Sequence, residues 1–111
     1  MFSIETPDKK NTEDDSIVFI IFHQDDIFIK FKLVNPEIKM LEGSNVLKVC
    51  GDELDNCLTI KVAGRALKIV AELGYGVITQ TLVLHDPQKA RASLRACIEK
   101  IENISMGCDV Q

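Results

Sequence analysis

Apolar and polar residues alternate along most of this chain, and near its end the alternation gives way to a helical stripe. Ile27, Ile29, Phe31 and Leu33 fall on one side of an extended segment, with Phe28, Lys30 and Lys32 on the other. That period of two is the mark of a half-buried strand. The run Ile17 to His23 precedes it, and Gln24-Asp25-Asp26 between them has turn composition, so the two read as a hairpin. Asn35-Pro36 breaks the second strand, because proline has no N–H to give a sheet. Ile38 to Leu41 and Val46 to Cys50 read as short strands on either side of the turn Glu42-Gly43-Ser44-Asn45. Leu58, Ile60 and Val62 alternate with Thr59 and Lys61, and Val77 to Leu84 sets Thr79 and Thr81 against Ile78, Leu82 and Leu84.

Two stretches carry a helical period. Ala66, Ile69, Val70 and Leu73 fall at i, i+3, i+4 and i+7, among good helix formers and ahead of Gly74 and Gly76. Arg65–Leu73 is therefore expected to be a helix. Leu67, Ile69, Ala71 and Leu73 also alternate; a strand there would give seven strands and one C-terminal helix, as in a pleckstrin-homology-like barrel. The second stretch begins at Asp86-Pro87, a capping residue followed by the residue favoured at the first helical position. Ala90, Leu94, Cys97, Ile98 and Ile101 then form one apolar stripe. The pattern predicts an α+β fold: an antiparallel β-sheet of about five or six strands with two helices, Arg65–Leu73 and Pro87–Asn103, packed on it.

Polarity at the ends sets the expected domain limits. Residues 1–15 are polar and acidic, with Pro7 and Glu13-Asp14-Asp15, and read as a flexible arm. Residues 16–104 form the single α+β domain, and 105–111 a patternless tail. A chain of 111 residues has room for one core, and with five Phe, one Tyr and no Trp that core must be aliphatic. Net charge is −4 with scattered Lys and Arg. This argues against a nucleic-acid surface, which needs clustered positive charge, and against an anionic membrane. The longest apolar run, Ile17 to Phe22, is far too short to span a bilayer. With no export signal read at the start, Cys50, Cys57, Cys97 and Cys108 are expected to be reduced thiols of a cytoplasmic protein. The first three are expected to be buried and Cys108 reactive.

Little in the chain points to catalysis. His23 and His85 lie at strand ends near Asp25 and Asp86, and a Cys57–His85 pair has nothing visible to activate it. Six residues separate Cys50 from Cys57, not the two to four of a zinc knuckle, and the acidic loop Gly51 to Asn56 lacks calcium-loop spacing. Gly74-Tyr75-Gly76 follows a helix rather than preceding one, unlike a phosphate cradle. Cys108-Asp109-Val110-Gln111 fits the C-a-a-X pattern in form only, with no basic segment beside it. The expectation is a protein with no cofactor, no metal and no enzymatic activity. Phe28, Lys30, Lys32, Arg91 and Arg95 are the candidate interaction residues.

From Val46 to about Ile101 the chain resembles the proteasome assembly chaperone 3 family. The likeness lies in the Val49-Cys50-Gly51-Asp52-Glu53 loop, the run Leu58 to Leu73 and the strand Gly76 to Leu84. Ala92, Leu94-Arg95 and Ile98 echo the family's last helix, whereas Val34 to Asn45 departs from its pattern. The resemblance implies a non-enzymatic chaperone that dimerises with itself or a like-folded assembly chaperone and holds 20S proteasome α subunits during assembly. The alternative is a small acidic inhibitor, immunity or antagonist protein of a microbe or phage, blocking a protein target.

Overall fold

A computed structural model of the chain describes residues 2–5, 17–52 and 56–110, with side chains for 17–52 and 56–103. Eight strands and one helix follow in order among the described residues. They are β1 (Phe2–Glu5), β2 (Ile17–Gln24), β3 (Ile27–Val34), β4 (Glu37–Glu42), β5 (Val46–Cys50), β6 (Cys57–Ala63), β7 (Ala66–Leu73), β8 (Gly76–Val83) and α1 (Pro87–Val110). β1-β2-β3 make a three-stranded sheet and β4-β5-β6-β7-β8 a five-stranded meander, every pairing antiparallel. α1 lies against β1 and β4 and reaches β6.

The helix expected over Arg65–Leu73 is a strand, and Leu67 explains why. A helical stripe of Ala66, Ile69, Val70 and Leu73 leaves Leu67 off its face. A strand puts Leu67, Ile69 and Ala71 together on the core side, each under a tenth exposed. The connections agree with this choice: Gly64 takes φ +60° between Ala63 and Ala66, which face each other across the β6–β7 hairpin. One helix, not two, is the outcome.

Three further expectations change. Within the expected arm 1–15, Phe2–Glu5 pairs with β2 as an added edge strand; the rest of that segment lies outside the described residues. The tail 105–111 is not patternless, since the helix backbone continues to Val110. Most consequentially, Cys50 and Cys57 are joined in a disulfide rather than held as two reduced thiols. They are register partners at the ends of β5 and β6, which brings their Cα atoms to 4.0 Å. Cys97 is free and buried, and the side chain of Cys108 lies outside the described residues.

The core fills the space between the two sheets and is closed by α1. Val18, Ile20, Phe22 and Leu33 face Leu47, Val49, Leu58, Ile60, Leu67 and Ile69. The stripe Ala90, Leu94, Cys97, Ile98 and Ile101 is buried as its spacing predicts. Asp86 caps the helix, its Oδ1 accepting from the N–H groups of Gln88 and Lys89 at 3.1 and 3.3 Å. No polar or charged side chain is buried among the described residues.

Candidate interaction surface

The outward face of the three-stranded sheet is the most unusual surface of the molecule. In β2, Val18, Ile20 and Phe22 point inward, so strand alternation turns Ile17, Phe19, Ile21 and His23 outward. In β3 the outward set is Phe28, Lys30, Lys32 and Val34. Register places Phe19 opposite Lys32, Ile21 opposite Lys30, and His23 opposite Phe28. The two strands thus present branched and aromatic side chains framed by two lysines.

Specific contacts order this face. The Lys30 ammonium sits 4.4 Å from the centre of the Phe19 ring, a cation–π contact. His23 meets Phe28 edge to face, with ring centres 5.8 Å apart and planes at 66°. Phe28 nevertheless remains 62% exposed. Lys32 borders a small recess with Val34, Gly51 and Asn56. The loop is drawn in there: the Asp52 N–H donates to the Val34 carbonyl at 2.7 Å, and a Cβ on Gly51 would come within 3.3 Å of that strand's backbone.

Phe28, Lys30 and Lys32 are therefore assembled on one surface, as the alternation predicts. Arg91 and Arg95 do not join them. Arg91 Nε donates to Asn45 Oδ1 at 3.0 Å, tying α1 to the β4–β5 turn. Arg95 borders a groove with Leu41, Ser44, Ile98 and Glu102 on that same side. Sequence reasoning missed Ile17, Phe19 and Ile21. The signal was present in the unbroken run Ile17 to Phe22, because a strand apolar on both faces reads as one meant to be covered on both.

A second feature is a cleft of about 260 Å³ where the β2–β3 turn meets the start of α1, lined by His23, Asp25, His85, Asp86 and Lys89. Asp25 occupies the turn with φ 54°, and its Oδ2 lies 3.3 Å from His85 Nε2. Both groups are well exposed, so solvent screens the pair. Among the residues whose side chains are described, no thiolate is at hand to use it. Cys57 is committed to the disulfide, and burial pushes the Cys97 thiol up to about 12, against a smaller opposing pull from Lys100. No group of three or more metal-ligating side chains occurs among the described residues, and no helix is long and apolar enough to cross a membrane.

Comparison of the chain with protein-family models, with curated proteins and with solved structures finds no match. The surfaces themselves are what bear on function.

Proposed function

We propose that this chain is a non-enzymatic interaction protein of the assembly-chaperone kind, and that the outward face of β2 and β3 is the surface it uses. The observation that carries the reading is the doubly apolar strand β2. Its inner residues fill the core while Ile17, Phe19 and Ile21 face outward beside Phe28. Outward apolar side chains rimmed by lysines suit a partner with an apolar centre and an acidic border. On the assembly-chaperone 3 resemblance, the partners are a like-folded chaperone and the α subunits of the 20S proteasome, met in the cytoplasm. Lys30 and Lys32 speed the encounter, so association slows as salt is added.

The test is co-sedimentation of the purified protein with isolated 20S α subunits, beside the variant Phe28→Asp. Phe28 is exposed, so the variant should fold with stability within about 0.5 kcal/mol of the parent. Capture by the parent and its loss in the variant is the expected result. A parent that ignores the α subunits removes the chaperone reading. A second reading, the pleckstrin-homology-like binding module, gains from β7 being a strand followed by a single C-terminal helix. Ligand binding that survives Phe28→Asp would favour it.

A further inference from the structure

The disulfide lies outside the core. In β5 the inward residues are Leu47 and Val49, and in β6 they are Leu58 and Ile60, all at or near zero exposure. Alternation therefore turns Cys50 and its register partner Cys57 to the outer face of the five-stranded sheet. The core closes on Val49 and Leu58 without them. Across that outer face the row runs Glu37, Cys50, Cys57, Glu72. Each carboxylate has a lysine beside it, Lys39 at 3.3 Å and Lys48 at 3.6 Å, so no unopposed negative charge guards the sulfurs. Cys50 is 8% exposed and Cys57 is half-buried. The Cys57 sulfur is the one an outside thiolate reaches first.

What the bond closes is a link between the two sheets. Cys50 and Cys57 stand at the two feet of the β5–β6 connection, and the Gly51 N–H donates to the Asn56 carbonyl at 2.7 Å just beyond them. From there the connection reaches over to β3. The Asp52 N–H donates to the Val34 carbonyl at 2.7 Å, and Asn35 Nδ2 donates to Asp52 Oδ2 at 3.2 Å. Lys32 and Val34, at one end of the candidate interaction face, line a shared recess with Gly51 and Asn56. A covalent tie at the feet restricts this short connection and keeps Asp52 presented to β3. Opening the tie returns conformational freedom to the connection and weakens that hold.

We propose that Cys50–Cys57 is a reversible redox latch: a dithiol reductant opens it in the folded protein and frees the Asp52 connection from β3. A thiolate of the reductant attacks the Cys57 sulfur, the S–S bond breaks, and Cys50 leaves as a thiolate that takes up a proton. The reductant's second thiol, once deprotonated, attacks its own sulfur in the mixed disulfide and displaces Cys57, which is protonated in turn. The chain gains two electrons and two protons, and the reductant ends as a disulfide. Disulfides formed in the cytoplasm are usually transient and redox-sensing. The latch thus rests on the cytoplasmic setting of the proposed function and not on the identity of its partner. Its output is the Lys32 and Val34 end of the interaction face, held when oxidised and released when reduced.

Native alkylation and hydrogen exchange on the purified chain test this with no partner present. After dithiothreitol treatment without denaturant, mass mapping should find Cys50 and Cys57 alkylated and buried Cys97 untouched. Cys97 is the internal control, since a core thiol is labelled only when the fold opens. Reduction should speed exchange of the Asp52 amide about tenfold more than that of the Ile60 amide, which reports global loss alone. Oxidised glutathione should restore the slow rate. Cys50→Ser with Cys57→Ser should exchange fast at Asp52 whether or not reductant is present. A bond that yields only together with Cys97 labelling overturns the proposal, because it is then a structural brace. So does an Asp52 amide that speeds no more than Ile60, a folded double variant that keeps the slow rate, or a folded chain in which the oxidant forms no bond. No α subunit enters these measurements, so failure here and failure of α-subunit capture are separate results.

Discussion

The two sheets share an inner chemistry and differ in what they show outside. Inward, both are lined with branched aliphatic residues at near-zero exposure, Ile20 and Leu33 on one side and Leu47 and Ile60 on the other. Outward, β2 and β3 offer Phe19, Ile21 and Phe28 beside Lys30 and Lys32, whereas β5 to β8 offer Lys48, Thr59, Lys61, Lys68, Thr79 and Thr81. Lys61 and Lys68 even stand directly opposite each other. The five-stranded sheet has a largely polar outer face and exposes apolar side chains at its two edges, Met40 and Leu41 on β4 and Val77, Ile78 and Val83 on β8. The three-stranded sheet carries its apolar risk on the face. Core burial explains the inner sides of both; the outward apolar side chains of β2 are what the proposed partner surface rests on.

The largest expected effect ignores the contrast and tests its premise. Ile20→Ala, Ile60→Ala and Leu94→Ala should each destabilise the fold by about 2–5 kcal/mol in denaturant titration. A loss under about 1 kcal/mol at any of them would place that position outside the shared core. Next comes the disulfide, which belongs to the five-stranded sheet alone. Its partners are 7 apart in sequence. Closing so short a loop in the unfolded chain is worth about 2–3 kcal/mol, so a reductant should lower the unfolding midpoint by that equivalent. A midpoint indifferent to reductant would mean the bond does not form in solution.

The smallest effect separates the two outer faces by sign. Lys30→Ala removes the charge over the Phe19 ring and should cost about 0.5–1 kcal/mol. Lys68→Glu replaces a like-charged cross-strand pair with an opposite one and should gain about 0.2–1 kcal/mol. Equal signs in urea titrations of the two variants would dissolve the comparison.

Much of this was legible from spacing. The two faces of Ile27 to Val34, the cap at Asp86 and the stripe from Ala90 to Ile101 follow from local periodicity, and local periodicity survived folding. Residues 65–73 satisfied two periods at once. The decision fell to tertiary burial of Leu67 and to the tight connections at either end, neither of which the period contains. The cysteine pairing was hidden for a related reason: a spacing says nothing of register, and register alone sets Cys50 against Cys57. For the candidate surface, Phe28, Lys30 and Lys32 could be grouped because they alternate. Phe19 and Ile21 could not, since an unbroken apolar run has no period to show which members face out. Arg91 and Arg95 were grouped with them on type alone, and Arg91 proves to be a strut between helix and turn.

The meander has a consequence for the order in which order is lost. Each strand from β4 to β8 pairs with its immediate neighbour in the chain, so every closure within that sheet spans only a short connection. The contact of α1 with β1 instead joins opposite ends of the described chain. Chain entropy gained on opening rises with the length of loop released. The helix–β1 seam is therefore the first place for the protein to breathe. The local hairpins of β5 to β7, with the disulfide bracing one end, form its most persistent unit.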